Sequence, residues 1–140
     1  MTNRMLTIAD KGPEPFAAHL ASAAEQNMNY RAVVWTGRNI QVTIMHLNPG
    51  EDIGLEAHPH LDQFLRIESG QGLVRMGPSR DNLTFAAQVG PGDAVMVPAG
   101  TWHNLINTGR RSLHLSSVYG PPDHPHGEIV PLHPAPGAEY

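Results

Sequence analysis

Five side chains able to ligate a metal ion fall between positions 56 and 63: Glu56, His58, His60, Asp62 and Gln63. Neutral imidazole and carboxylate together suit borderline divalent cations, and an amide oxygen is a weaker neutral ligand. In an extended segment, residues two apart project to the same face, so Glu56 and His58 would point together. Gln63 opens the apolar run Phe64-Leu65-Arg66-Ile67 and would face the same interior. A second island, Pro98-Ala-Gly-Thr-Trp-His103-Asn, lies further along. The two stretches are expected to meet around one metal ion inside a β-barrel.

The elements that must hold these residues are short. The chain has 140 residues, enough for one domain with a real core. Its 14 Gly and 13 Pro are spread along the length, which suits many strands joined by tight turns. Strands are expected at Tyr30–Trp35, Ile40–Leu47, Ile53–His58, Gln63–Glu68, Leu73–Met76, Leu83–Val89, Ala94–Val97, Trp102–Ile106 and Leu113–Tyr119. In the second of these, Val42, Ile44 and His46 share one face, and Gln41, Thr43, Met45 and Leu47 the other. A short helix is expected at Phe16–Asn27, where Ala and Leu favour it and Pro13 and Pro15 limit its start. The chain divides into an N-terminal segment with that helix (1–29), a barrel (30–120) and a Pro/Gly/His-rich tail (121–140) expected to hold little regular structure. Regular strand spacing with Gly/Pro turns argues for an all-β sandwich or barrel and does not choose between them.

Composition removes several classes of function. A net charge of -4 gives no reason to expect nucleic acid or an anionic membrane as partner. Cysteine is absent, which excludes disulfides and thiolate metal sites. No apolar run approaches the ~20 residues of a membrane span, and the N-terminus lacks the apolar core of a signal peptide. A cytoplasmic location is the expectation. Histidine is the outlier, with nine residues against eight for Phe, Tyr and Trp together.

Two spacings select the barrel. Gly50, Glu56, His58, Gln63 and Gly70 stand at the intervals of the first cupin motif; Gly92, Pro98, Gly100, His103 and Asn107 match the second in full. Residues 30–120 thus resemble the cupin superfamily. The phrases Asp-Ile-Gly-Leu-Glu, Asp-Gln-Phe-Leu-Arg-Ile and Pro-Ala-Gly-Thr-Trp-His further resemble small single-domain bacterial cupins, often labelled mannose-6-phosphate-isomerase-like. The resemblance implies an all-β double-stranded β-helix (jelly-roll) barrel with a divalent metal at its centre. It also implies a homodimer paired through sheet edges, with residues 30–47 and the N-terminal segment as candidate interface.

The sequence departs from the family pattern twice. Glu56 stands where the motif has its first His, and Gln63 where it has Glu. The swaps compensate: the ligand set becomes Glu56, His58, Gln63 and His103, still with one carboxylate. Fe, Mn, Ni or Zn would suit two nitrogens and two oxygens, with open positions for water, substrate or dioxygen. Counting from Gly50 and Gly70 assigns His58, not His60, to the motif. His60 is then a residue of the pocket mouth and, with Glu56, a candidate base.

Each assignment has a plainer counterpart. His58 and His103 could be hydrogen-bonded core histidines, Glu56 a rim carboxylate paired with Arg66 or Arg75, and Gln63 a hydrogen-bonding neighbour of the ligands. His46 and His114 alternate with apolar residues and read as core or surface. Trp102 and Tyr119 read as barrel packing, although an aromatic beside His103 would line the cavity. Arg66 reads as an outward strand residue. The strap Pro-Pro-Asp-His124-Pro-His126-Gly reads as exposed, with the alternative that it folds over the barrel mouth. The function expected is a metalloenzyme of isomerase-like or dioxygenase-like type acting on a small oxygenated molecule. A non-catalytic small-molecule or sugar binder is the alternative. The single motif pair argues against a storage role.

Overall fold

A computed structural model of the chain describes residues 8–135; residues 1–7 of the N-terminal segment and 136–140 of the tail lie outside the described residues. The elements run α1 (Leu20–Gln26), β1 (Arg31–Thr36), β2 (Gln41–Leu47), β3 (Asp62–Ser69), β4 (Gly72–Gly77), β5 (Phe85–Val89), β6 (Ala94–Val97), β7 (Trp102–Asn107), β8 (Leu113–Gly120) and β9 (Ile129–Val130). Strand pairing is antiparallel throughout. A six-stranded sheet has the order β6-β3-β8-β2-β1-β9, and a three-stranded sheet has the order β5-β4-β7.

Alternation along the strands builds the interior. In β2, Gln41, Thr43, Met45 and Leu47 pair with Tyr119, Ser117, Leu115 and Leu113 of β8, and all eight are buried. The register grades the barrel from a polar end at Gln41 and Tyr119 to an apolar end at Leu47 and Leu113. That apolar end joins Ile67, Val74, Val89 and Leu105 in the main core. The opposite face of β2 is covered as well. Ile44 packs with Ala23 and Ala24 of α1 and with Ala32 and Val34 of β1. His46 and His114 sit beside this layer, their rings 4.9 Å apart, and His114 Nδ1 lies 2.9 Å from the Ala24 carbonyl oxygen.

Three expected elements differ in extent. The helix begins at Leu20 because His19 caps it, its Nδ1 accepting from the Ser22 N–H, and Asn27 closes it in an extended conformation. The upstream alanines, Ala17 and Ala18, are exposed, and propensity without burial does not hold a helix. The expected strand Ile53–His58 is reduced to isolated bridges, Asp52 with Ile106 and Glu56 with His103. Gly54 lies between them at φ +90°, which interrupts the extended run. The tail, expected to hold little regular structure, contributes the two-residue β9 to the sheet edge, Arg31 and Ala32 pairing with Val130 and Ile129. Among the described residues, no helix is long and apolar enough to cross a membrane.

Candidate metal centre

The two islands are laced together through the backbone. Glu56 N–H donates to the His103 carbonyl at 3.1 Å, and His103 N–H returns to Glu56 at 2.9 Å. Gly100 N–H donates to the His58 carbonyl at 2.8 Å, and Ala99 N–H to Asp62 Oδ1 at 2.9 Å. Asn107 closes the far end: its side chain donates to the Leu47 and Arg111 carbonyls, and its own carbonyl accepts from Gly50 N–H. The first segment therefore needs no strand of its own. The rigid β7 fixes it at intervals, and the turn before β7 fixes His58.

This lacing gathers Glu56, His58 and His103 with one ligand atom each, all within 4.8 Å of one another. His58 Nε2 is 3.1 Å from Glu56 Oε1. Gln63 joins them, its Oε1 lying 3.1 Å from His103 Nε2 while its Nε2 donates to Ser117 Oγ at 3.0 Å. His103 Nδ1 donates to the Thr101 carbonyl at 3.0 Å. Thr101 O and Gln63 Oε1 both only accept, so a neutral ring can donate to one of them and not both. With the proton on Nδ1, the lone pairs of His103 Nε2 and Gln63 Oε1 face each other at 3.1 Å, an arrangement that a cation between them would relieve.

Burial lowers the His103 imidazole pKa, which favours the neutral, ligating form. At His58 the Glu56 carboxylate prevails over burial and raises the pKa. A proton on His58 is the local stand-in for a cation.

The residues fit a divalent ion. His58 Nε2 is buried against Glu56 Oε1 at 3.1 Å in poor hydrogen-bond geometry, a contact that a cation between the two atoms would satisfy better. Two donors each ~2.1 Å from one ion and at right angles stand ~3.0 Å apart, close to both pair distances here. The His and carboxylate donors suit borderline cations.

Other sequence assignments fall on either side of this group. His60, expected to serve as a base, is exposed in the turn after Pro59 and is not in the group. Pro59 turns the chain so that the His-Pro-His pair does not share a face. Arg66 is outward, its side chain paired with Glu68 at 3.3 Å, so the alternative pairing of Glu56 with Arg66 does not form. Trp102 faces away from the cavity and stacks under Arg80.

The strap was expected to be exposed. Its His126 is, but its His124 is not: that side chain is 10% exposed, and its ring meets Tyr119 edge-on at 5.0 Å. Tyr119 in turn meets the His58 ring at 6.0 Å. Asp123 Oδ2 stands 3.8 Å from His58 Nδ1. Buried Gln41 holds the strap here, its Oε1 accepting from the Asp123 and His124 N–H groups and its Nε2 donating to the His124 carbonyl. Sequence reading also passed over Arg31 and Thr43. Arg31 carried a signal, being the one charge in the apolar run Tyr30-Arg31-Ala32-Val33-Val34-Trp35.

Comparison with known proteins agrees with this architecture. Residues 43–119 match the cupin domain family model. The protein YrkC of Bacillus subtilis is 53% identical over 127 residues, covering 91% of this chain and 68% of that protein. A protein of Acanthamoeba polyphaga mimivirus is 39% identical over 113 residues, covering 80% of this chain and 69% of its own. The crystal structure of BH2720 from Bacillus halodurans superposes with a TM-score of 0.88 at 52% identity, covering 89% of this chain and 94% of that one. A cupin barrel whose motif positions gather Glu56, His58 and His103 into a group able to hold a metal is what both sequence and structure describe, and the chain belongs to the cupin family.

Proposed function

We propose that this cupin binds one divalent ion, of Fe, Mn, Ni or Zn, through Glu56, His58, His103 and Gln63, and acts as a metalloenzyme on a small oxygenated substrate. The observation that carries the reading is the compact donor group of Glu56, His58 and His103, with His58 Nε2 buried against Glu56 Oε1 at 3.1 Å. When bound, the ion supplies Lewis-acid or redox chemistry of the isomerase or dioxygenase kind to substrate oxygens.

The chain's own residues do the rest. Burial pushes the Tyr119 phenol up to about 12, so it stays protonated, its hydroxyl against Ser117 and Thr43 and its ring edge-on to His58. Asp123 faces His58 Nδ1 and orients the ring. Glu56 is the carboxylate available to move a proton when it is not engaged as a ligand. The strap restricts the mouth and limits water.

A second reading, a non-catalytic small-molecule binder, has one observation in its favour: His60, expected as a base, is exposed and stands outside the donor group. The homodimer inferred from family resemblance belongs to either reading, and light scattering that finds a monomer at working concentration would contradict it.

Elemental analysis of protein purified without a tag tests the common premise. One ion per chain is expected, with loss in His58→Ala and His103→Ala. Unchanged metal content in both variants, or no bound ion in the parent, sinks the reading. Turnover of a substrate panel of sugars, sugar phosphates and catechols separates the enzyme from the binder.

A further inference from the structure

The mouth of the barrel holds a second set of polar atoms that the metal reading does not use. Arg31 lies on β1 with its side chain 10% exposed. It gives Nη2 to Glu128 Oε1 at 2.9 Å, while its Nε is buried with no hydrogen-bond partner. The Thr43 hydroxyl, on a fully buried residue of β2, lies beside the Tyr119 hydroxyl in poor hydrogen-bond geometry and has no other partner among the described residues. His124 Nε2 is buried and equally unpartnered, 3.5 Å from Asp123 Oδ2 without hydrogen-bond geometry. Tyr119 connects them to the donor group: its ring touches both His124 and His58, and its cross-strand neighbour in β3 is Gln63.

An Arg Nε–H cannot shed its proton, so it must find an acceptor or remain unsatisfied. Bonds from a charged donor to an anionic acceptor are roughly twice as strong as neutral ones. The charges around His124 decide which anion fits. Glu56, Asp123 and Glu128 are negative there, and Arg31 with a divalent ion balances them. A monoanion is then admitted at smaller electrostatic cost than a dianion.

We propose that Arg31, Thr43 and His124 form a subsite for the carboxylate of a small monocarboxylic acid, whose remaining oxygens face the metal-ligating group. The inference rests on the metal-binding reading, because the ion completes the charge balance. It narrows the substrate from any oxygenated molecule to a carboxylic acid. It also gives the strap a role, since Gln41 holds the His124 backbone in place there.

Calorimetric titration of zinc-loaded protein with glycolate, and with its neutral isostere glycolamide, tests the proposal, with metal content measured on every sample. Glycolate is expected to bind at least tenfold more tightly than glycolamide. Arg31→Gln is expected to lose at least tenfold in glycolate affinity while keeping its zinc, and Thr43→Val at least threefold. Equal affinities for the two probes overturn the subsite, as does unchanged glycolate binding in zinc-loaded Arg31→Gln. Should Arg31→Gln fail to fold because the strap loses Glu128, Thr43→Val and the probe comparison decide alone. A parent protein that takes up no zinc overturns the metal reading and the subsite with it; zinc uptake without carboxylate preference overturns the subsite alone.

Discussion

Glu56 and His103 form a reciprocal backbone pair, each donating its N–H to the other's carbonyl, so the two motifs meet at the residues whose side chains enter the site. The carboxylate and the imidazole are thereby fixed at their Cα atoms, not merely at their tips. A ligand exchange at position 56 should leave the backbone in place and alter only what the site offers a cation.

The single carboxylate of the donor group is the quantity to vary. Gln63→Glu adds a second negative charge beside His103 and is expected to raise divalent-ion affinity, by about tenfold or more. Glu56→His removes the only carboxylate and is expected to lower it by a similar factor. The double variant restores one carboxylate with the roles exchanged and should return close to the parent. Chelator competition on the four proteins measures this. A double variant as weak as Glu56→His would mean that the two positions are not equivalent around one ion.

Gly70 and Gly100 separate strain from collision. Both have positive φ, +92° and +82°. A Cβ at Gly100 meets nothing within 4 Å, so Gly100→Ala is expected to cost about 1 kcal/mol of backbone strain. A Cβ at Gly70 would stand 2.7 Å from the Ser112 carbonyl oxygen and 2.8 Å from Leu113 Cα, both backbone. Gly70→Ala should therefore destabilise by several kcal/mol, since neither neighbour can yield cheaply. Urea unfolding of the two variants checks the order.

Asp10 makes the docking of the N-terminal segment and strap dependent on pH. Burial of its carboxyl raises the pKa. The bonds from Thr36, Gly12 and Gly127, together with the His126 charge, outweigh this and hold it below the ordinary 3.8. A folded pKa below the unfolded one gives stability that is present above the unfolded value and lost as pH falls through the folded one. Asp10→Asn should cost about 2 kcal/mol at neutral pH, since bonds to a charged acceptor are lost. The difference from the parent should shrink as pH falls below 4. Denaturation midpoints across pH 2–7 test the sign. A penalty that grows on acidification would contradict it.

The sequence made some of this legible and hid the rest for definable reasons. Strand periods and Gly/Pro turns are local, and so β2, β3, β7 and β8 were readable to within a residue or two. The group of Glu56, His58 and His103 that could hold a metal was readable because Gly50, Gly70, Gly92 and Gly100 sit at turns with positive φ and mark fixed distances along the chain. The intermittent bridging of Asp52 and Glu56 was not readable, since it depends on the β7 backbone opposite and on the Gly54 break. The docking of the strap was hidden as well. Its Pro and His composition looks solvated, and what holds it are distant groups: the buried Gln41 amide some eighty residues earlier, Asp10 and Arg31.

That amide gives the sharpest test of the strap. Gln41 is fully buried and makes four hydrogen bonds, accepting from the Asp123 and His124 N–H groups and donating to the His124 carbonyl and Thr36 Oγ1. Gln41→Leu is close in volume, so packing should survive while four partners lose their bonds. Buried groups left unsatisfied cost about 1–3 kcal/mol each, but the strap can escape this by leaving the surface and taking its groups into water. The expected result is a loss of about 2 kcal/mol in stability, faster proteolysis within residues 121–128 and faster hydrogen exchange at His124. Metal uptake should persist, since Glu56, His58 and His103 are held by β7 and the turn before it. Loss of the metal along with the strap would show instead that the strap helps build the donor group, and mass-spectrometric footprinting beside elemental analysis distinguishes the two outcomes.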